Sequence, residues 1–291
     1  MKKPVPRVAA IHDLSGFGRA SLTVIIPILS TMGFQVCPLP TAVLSTHTGG
    51  FKNMKIIDLT EHMEEYMEHW RLLNIDFDCI YSGFLGSPFQ IDLITKFISH
   101  FSHNENLIVI DPVMGDNGTL YQTMDIEMVQ KMREFIKHAD IITPNFTEAA
   151  LLLNEKYRQN AEDTEMKSWL ARLSEMGPKT VIITSVPDHK SKKNSSVMAY
   201  NRDDNRFWKV ECDYIPAHFP GTGDAFTSVI VGSMLQGDSL PIALDRATHF
   251  ISLAVRASYG HKYPEREGIL LERVLENLKA PVTVSSYEIL E

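Results

Sequence analysis

Short apolar runs alternate with segments of helical periodicity along most of the chain, and this alternation limits the possible folds more than any other feature. The runs are typical of strands covered on both faces. They are Arg7–His12, Gln35–Val43, Phe77–Tyr81, Leu107–Ile110, Ile141–Thr143 and Thr180–Thr184. The helical segments are Ser21–Met32, Thr60–Leu73, Phe89–Phe101, Asp125–Ala139, Thr147–Leu153 and Thr164–Met176. This order predicts parallel βαβ units and therefore an α/β fold, a three-layer αβα sandwich with a mostly parallel central sheet.

The last third of the chain departs from this alternation. Ser196–Tyr200 and Arg206–Glu211 flank a polar turn and predict an antiparallel hairpin at the edge of the sheet. Asp224–Leu235, Leu240–Tyr259 and Glu265–Leu278 have helical periodicity. No linker rich in Ser, Gly or Pro and no internal repeat occurs in the 291 residues, so we expect residues 1–291 to form one domain.

The charge balance argues against nucleic acid as a partner. The formal net charge is −8, whereas a surface for phosphate backbones needs clustered Lys and Arg. The basic cluster KSKKN, Lys190–Asn194, is bordered by polar and turn-forming residues, and we interpret it as a solvated loop.

Cysteine usage and hydropathy indicate the compartment. Cys37, Cys79 and Cys212 lie far apart and form no CxxC pair, which disfavours both a disulfide framework and a zinc site. No stretch reaches the ~18–20 apolar residues that a membrane span needs. We therefore expect a cytoplasmic protein with no membrane partner.

The segment PGTGD, Pro220–Asp224, places two glycines and an acid directly before an apolar helix. Successive N–H groups in such a turn point the same way, and the helix dipole adds to their positive end. The amides of Gly221, Thr222, Gly223 and Asp224 predict an anion hole for a transferring phosphoryl group. A carboxylate at that place suits a base that takes the proton of an attacking hydroxyl. The alternative for Asp224 is an ordinary acid near a helix start.

Acids and hydroxyls also follow three of the predicted strands. They are Asp111 and Asp116 in DPVMGDNG, Thr143, Asn145 and Glu148 in TPNFTEAALLL, and Thr184 with Ser185. Ligands of parallel sheets bind beyond the carboxyl ends of the strands, so we expect these side chains near a ligand. Asp111 and Glu148 are candidate ligands of Mg²⁺, which takes oxygen donors and keeps much of its water. Turn formers and helix caps are the alternative.

Two polar loops that contain glycine are candidates for holding a flat heteroaromatic substrate. LSTHTGGF (Leu44–Phe51) and YSGFLGS (Tyr81–Ser87) offer hydrogen-bonding groups and an aromatic ring at Phe51 or Phe84. Plain surface turns are the alternative. GFGRAS lacks the third glycine and the later acid of a dinucleotide fingerprint, and no GxxxxGK[ST] cradle occurs, so we expect neither of those nucleotide sites.

Four of these motifs, in this order on an α/β chain, resemble the ribokinase superfamily and most closely its vitamin-kinase branch, the pyridoxal/pyridoxamine kinases. LSTHTGG resembles the SNHTxxG loop of that branch, and DPVMGDNG resembles its DPVxGD segment. TPNFTEAALLL is similar to TPNxxEAxxL, and PGTGDAF is similar to GTGDLF. The resemblance extends from about Arg7 to the helix after Tyr259.

The resemblance implies transfer of the γ-phosphate of ATP, with Mg²⁺, to the 5′-hydroxymethyl group of pyridoxal, pyridoxine or pyridoxamine. It implies that Asp224 is the catalytic base and that Gly221, Thr222 and Gly223 line the anion hole. The implied ATP and Mg²⁺ side comprises Asp111, Asp116, Thr143, Asn145, Glu148, Thr184 and Ser185. The implied substrate side comprises Asp13, Ser15, His47, Thr48, Gly49 and Phe84, together with Asp224. The resemblance also implies a homodimer.

Two residues depart from the family's pattern on the substrate side. Asp13 stands where pyridoxal kinases commonly carry a Ser that contacts the ring, and Phe84 stands where many carry Tyr. DLSGFG also resembles the DPSGGAG turn of hydroxymethylpyrimidine kinases. A hydroxymethylpyrimidine kinase of thiamine synthesis and a catalytically silent ligand-binding protein on the same fold are therefore the alternatives.

Overall fold

A ten-stranded sheet runs through the part of the chain that the computed structural model describes, residues 4–187, 194–213, 215, 217–280 and 287–290. Its strands are β1 (Arg7–Ser15), β2 (Gln35–Leu44), β3 (Ile56–Asp58), β4 (Cys79–Ser82), β5 (Leu107–Ile110), β8 (Ile141–Ile142), β9 (Thr180–Pro187), β10 (Asn194–Asn201), β11 (Arg206–Asp213) and β12 (Tyr287–Leu290). A separate two-stranded ribbon comprises β6 (Gly115–Asp116) and β7 (Thr119–Leu120).

The strand order is β12-β11-β10-β9-β8-β5-β4-β1-β2-β3. The six strands from β9 to β2 pair in parallel, and β10, β11, β12 and β3 pair antiparallel. The mostly parallel sheet and the antiparallel hairpin at its side are thus confirmed. The hairpin β10–β11 is not outermost, because β12 pairs with β11 beyond it.

The helices are α1 (Leu22–Thr31), α2 (Thr60–Leu72), α3 (Pro88–Phe101), α4 (Ile126–Phe135), α5 (Phe146–Leu153), α6 (Asp163–Glu175), α7 (Thr222–Gln236) and α8 (Leu240–Tyr259). The predicted helix at Glu265–Leu278 is wrong: three short 3₁₀ turns occupy that region. Gly268 has φ +84°, which is outside helical geometry, and a Cβ there would lie 2.6 Å from the Arg19 carbonyl oxygen, so this residue must be glycine.

Strand β1 shows how the sequence places helices on both faces. Val8 and Ala10 belong to a core shared with α1, α7 and α8, whereas Ala9 and Ile11 belong to a core shared with α2 to α6. Alternate residues of a strand point to opposite faces, so a continuous apolar run must be covered twice.

Three expectations concern features away from the site. In the described residues, no helix is both long and apolar enough to cross a membrane, and no disulfide forms. The cluster Lys190–Asn194 lies outside the described residues except for Asn194, which begins β10.

The parallel strands bring the predicted site residues to one edge of the sheet in a defined order. Asp13 lies at the end of β1, His47 follows β2, Phe84 follows β4, Asp111 follows β5 and Thr143 follows β8. The predicted substrate residues therefore lie at one end of this row, and the predicted nucleotide residues lie at the other. Helix α7 packs against β4 and α1, so its N-terminus faces the middle of the row.

Candidate active site

A cleft of about 990 Å³ opens at the carboxyl ends of the parallel strands. It is lined by nearly every residue that the motifs predicted for the site: Asp13, His47, Thr48, Gly49, Phe84, Asp111, Asp116, Thr143, Asn145, Glu148, Thr184, Ser185, Gly221, Thr222, Gly223 and Asp224. Ser15 is not part of this lining. Its buried hydroxyl donates a hydrogen bond to Asp13 from behind, at 3.2 Å.

The turn before α7 leaves backbone amides facing the cleft. Gly221 occupies the N-cap with φ +80°, and a Cβ there would lie 2.2 Å from the Arg19 carbonyl oxygen, so glycine is required. Glycine has no side chain that could cap the helix, and no side-chain cap bond forms at this end. The amides at the helix start therefore remain available to an anion.

Gly223 has a different reason to be glycine. A Cβ at this position would meet no protein atom within 4 Å, and the residue is exposed in the cleft. The protein's own packing therefore does not require glycine here. The missing side chain keeps the space above the helix N-terminus open for a ligand.

Asp224 lies in the first turn of α7 with its carboxylate half-buried beside these amides. The Ser21 backbone N–H donates to one carboxylate oxygen at 2.8 Å. Burial raises the pKa of Asp224 to about 6; the Ser21 N–H opposes this shift, and the nearby charge of Asp13 adds to it. A carboxylate with this pKa is mostly ionised at neutral pH and still basic enough to accept a proton.

Asp13 is buried at the end of β1 and accepts two hydroxyl hydrogen bonds. The Ser21 hydroxyl donates to one oxygen at 2.5 Å, and Ser15 donates to the other at 3.2 Å. Burial raises the pKa of Asp13, and the two hydroxyls oppose the shift. Protein groups thus contact both oxygens of this carboxylate.

Asp111 lies buried in the middle of the cleft, near Glu148 and Asp224. Burial, and then the charges of these two acids, raise the pKa of Asp111 well above its usual range. On the adjoining strand end, Thr143 accepts a hydrogen bond from the Thr227 hydroxyl at 2.9 Å. Thr227 is a cleft residue that the motifs missed; its place three residues after Asp224, on the same face of α7, was the available signal.

Glu148 and Asn145 form a capping box at the start of α5. One Glu148 oxygen accepts the Asn145 N–H at 2.8 Å, and the other accepts the Met114 N–H at 3.0 Å. Asn145 also donates to the Gly115 carbonyl at 2.8 Å. The pair therefore fastens the DPVMGD loop to α5, and burial raises the pKa of Glu148 to about 8.

The predicted nucleotide side continues into a second groove of about 260 Å³. Thr184, Ser185 and Gly223 line both spaces, and Ile251 and Val255 of α8 give the groove an apolar wall. Asp116 lies nearby on β6 and accepts the Asn117 N–H at 2.7 Å.

On the substrate side, His47 uses both ring nitrogens within the protein. Nδ1 accepts the Gly49 N–H at 3.0 Å, and Nε2 lies 2.7 Å from the Arg266 carbonyl, to which it donates. Burial lowers the pKa of His47, so the ring is neutral. Phe51 packs its ring against His47 and under the Arg266 guanidinium and does not line the cleft, so Phe84 is the candidate aromatic contact.

The described lining of the cleft is acidic and contains no Lys or Arg. Six carboxylates contribute: Asp13, Asp111, Asp116, Glu148, Asp224 and Glu265. A polyphosphate bound here needs a cation to screen it from these acids, and carboxylate oxygens are the donors that Mg²⁺ prefers. The described residues hold no group of three or more metal-ligating side chains, so such a cation would complete its shell with water and phosphate oxygens.

The chain is similar to several known kinases. A model of the phosphomethylpyrimidine kinase family matches residues 26–266. A pyridoxal kinase of Arabidopsis thaliana is 30% identical over an alignment of 272 residues, and the match covers 86% of this chain and 76% of that protein. A solved structure from Bacteroides thetaiotaomicron, named as a phosphomethylpyrimidine kinase and crystallised with pyridoxal, is 57% identical with a TM-score of 0.96 and covers 98% of this chain and 100% of its own.

The pyridoxal kinase of Lactobacillus plantarum is 30% identical with a TM-score of 0.86, covering 95% of this chain and 97% of its own. The family model and these relatives match the chain over most of its length, which includes the PGTGD turn and the acidic strand ends. The chain therefore belongs to the kinase family that comprises the phosphomethylpyrimidine and pyridoxal kinases, within the ribokinase superfamily, and is an ATP-dependent phosphotransferase.

Proposed function

We propose that the protein phosphorylates the 5′-hydroxymethyl group of a B6 vitamer, pyridoxal, pyridoxine or pyridoxamine, with ATP as the donor. The observation that carries this proposal is the Asp224 carboxylate, whose pKa is about 6, beside the open amides of the PGTGD turn in one cleft. The 57% identical relative that was crystallised with pyridoxal supports the choice of acceptor.

In the proposed reaction, the substrate hydroxyl oxygen attacks the γ-phosphorus while Asp224 takes the hydroxyl proton. The bond from the γ-phosphorus to the bridging oxygen breaks, and ADP leaves with the bond's electrons. The amides of Thr222, Gly223 and Asp224 donate to the phosphoryl oxygens as charge builds on them. Phe84, Thr48 and Gly49 border the vitamin ring, and the groove beside Ile251 and Val255 receives the adenine base.

Asp111 and Glu148 are the residues that would hold Mg²⁺ on the nucleotide side. Burial raises the pKa of both carboxyls, and a cation beside them would favour their ionised forms. When bound, the ion would neutralise the phosphates against the acidic lining. Glu148 already accepts hydrogen bonds from two backbone N–H groups, so we propose that Asp111 is the main protein ligand of Mg²⁺.

We expect Asp111→Asn to raise the Mg²⁺ concentration for half-maximal turnover by about tenfold or more, because it removes one full charge from the ion's surroundings. The measurement is the initial rate at saturating ATP over a Mg²⁺ titration, with EDTA abolishing turnover. Asp125→Asn is the matched control, since Asp125 caps α4 away from the cleft and Asn also caps helices. An unchanged Mg²⁺ dependence in Asp111→Asn would show that Asp111 does not bind the ion.

The test of the function is ADP release by the purified protein with Mg²⁺ and ATP. The acceptors are pyridoxal, pyridoxine, pyridoxamine and hydroxymethylaminopyrimidine, offered one at a time. We expect the highest kcat/KM with a B6 vitamer. A preference for the pyrimidine would reassign the protein to hydroxymethylpyrimidine phosphorylation, and binding of a vitamer without turnover would make it a silent ligand-binding protein.

The proposal includes a homodimer that works in the cytoplasm, where ATP is available. Ile56 and Ile57 on the edge strand β3 are 49% and 62% exposed, and such apolar residues on a sheet edge are typical of a subunit contact. Light scattering of the purified protein distinguishes a dimer from a monomer.

A further inference from the structure

Ser21 has a backbone conformation that serine rarely adopts. It precedes α1 with φ 53° and ψ −134°, in a region that favours glycine, and it is buried. A non-glycine residue is strained in this conformation, which persists only when its surroundings fix it. Such residues cluster at functional sites, and Ser21 lines the cleft.

Two contacts of Ser21 run to two different carboxylates. Its hydroxyl donates to Asp13 at 2.5 Å, and its backbone N–H donates to Asp224 at 2.8 Å. Ser21 also forms a bridge with Leu14, which brings the end of the loop back beside β1. One residue therefore links the end of the first strand to the candidate base, 203 residues further along the chain.

The loop before Ser21 is held directly against the anion hole. The Arg19 carbonyl oxygen lies 2.2 Å and 2.6 Å from the places where a Cβ would stand on Gly221 and Gly268, and the Arg19 N–H donates to the Glu267 carbonyl at 3.0 Å. Packing of Arg19 thus fixes the backbone just before Ser21. The hydrogen bond to Asp13 fixes the Ser21 side chain.

We propose that Asp13 and Ser21 are a positioning pair: Asp13 holds the Ser21 hydroxyl, and this tether keeps the Ser21 N–H on the Asp224 carboxylate so that the base is correctly oriented. The inference rests on the proposed function of Asp224 as a base. It also gives Asp13 a different role from the one that the resemblance implies. Asp13 acts through Ser21 and does not contact the vitamin ring, since the hydroxyls of Ser15 and Ser21 already contact its two oxygens.

The first test compares Ser21→Ala with Ser21→Gly. Alanine loses the tether and is strained at this φ and ψ, so the N–H leaves Asp224; we expect kcat to fall roughly 10- to 100-fold with KM for the acceptor little changed. Glycine also loses the hydroxyl, but it adopts this conformation freely and keeps the N–H. We expect it to restore kcat to within about threefold of the native value. Ser174→Ala, which loses a buried serine hydrogen bond to Pro178 away from the cleft, controls for lost stability through its melting temperature.

The second test is a double-mutant cycle with Asp13→Ala. In the native background we expect a loss of kcat similar to that of Ser21→Ala, because the tether is gone. In the Ser21→Gly background there is no tether to lose, so we expect the loss to be at least about fivefold smaller. If Asp13→Ala lowered kcat/KM equally in both backgrounds, through a higher KM for the acceptor, the proposal would be overturned and Asp13 would be a substrate-binding residue.

A third measurement does not depend on any substrate. The pKa of Asp224 is followed by carboxyl ¹³C NMR in the ligand-free protein. Losing the Ser21 N–H removes a donor to the charged form, so we expect the pKa of Asp224 to rise in Ser21→Ala and to return in Ser21→Gly. Asp13→Asn keeps an acceptor for Ser21 but removes a negative charge, so it lowers the pKa.

Following the signal of Asp224 itself separates its titration from that of the groups that interact with it or with Asp13. Asp111 and the hydroxyls of Tyr81 and Tyr121 interact with Asp224, and His47 interacts with Asp13. An Asp224 pKa that is unchanged in Ser21→Ala would overturn the proposal. If no vitamer is phosphorylated, the proposed function fails, and this measurement still decides whether Ser21 positions Asp224.

Discussion

Asp224→Asn is expected to lower kcat by roughly 10²- to 10⁴-fold, because a positioned general base contributes that much and an amide cannot take the proton. The binding of ATP and of the vitamer should change little, since Asn keeps the size of the side chain and can still accept from the Ser21 N–H. The measurements are the rate of ADP formation and ligand affinities by calorimetry. Asp238→Asn makes the same chemical change at the other end of α7, where the acid pairs with Arg246, and should leave kcat near the native value.

The pH dependence of kcat/KM is a second test of Asp224 as the base. Asp224 must be ionised to act, and burial raises its pKa to about 6, so kcat/KM should fall as the pH drops through about 6. Below that pH the rate falls about tenfold for each pH unit. The residual activity of Asp224→Asn should lack this acidic limb. A native turnover rate in Asp224→Asn, or an acidic limb that survives the substitution, would show that another group is the base.

Gly223→Ala and Gly221→Ala should separate catalysis from stability at neighbouring positions. A Cβ on Gly223 meets no protein atom within 4 Å but enters the space above the helix amides, where the phosphoryl group is proposed to bind. We therefore expect turnover to fall by roughly 10²-fold, as when a donor of an oxyanion hole is lost. The free energy of unfolding should stay level or rise by up to about 1 kcal/mol, because Ala is the better helix former.

Gly221→Ala is the matched comparison and should do the opposite to stability. Its Cβ would lie 2.2 Å from the Arg19 carbonyl oxygen at φ +80°, so the loop before α1 must move. We expect the free energy of unfolding to fall by about 2 kcal/mol or more. Urea unfolding and turnover of both variants provide the check. If Gly223→Ala turned over at the native rate, the amides at the start of α7 would not be where the phosphoryl group binds.

Much of the fold could be predicted because local residue patterns indicate its strands and helices. The run Val8–Ile11 is apolar without a break, as is typical of a strand that lies between two layers of helices. Strand β3 and the three 3₁₀ turns after Glu265 could not be predicted in this way. Ile56–Asp58 is a short, exposed edge strand, and Gly268, which has φ +84°, lies against Arg19, more than 200 residues away along the chain.

Local patterns likewise predicted some residues of the candidate site and not others. Asp224, Asp111 and Thr143 could be named because each follows a strand or opens a helix, and parallel strands end at one edge. Ser21 and Thr227 were missed: the helical spacing from Asp224 was a signal for Thr227, whereas no local pattern marks Ser21. The strain of Ser21 and its contact with Asp224 exist only once α1 and α7 have packed together.

By itself, the sequence determined the parallel sheet, the edge at which its acids gather and the helix start that presents amides to an anion, because strand periodicity, turn residues and helix caps act over a few residues. Only the tertiary structure decided that Gly221 is required by packing while Gly223 is left open, and that Ser15 lies behind Asp13. It also decided which carboxylates share a buried space and so have raised pKa values. These properties depend on distances between segments far apart in the chain, and burial and electrostatic energies are set by those distances.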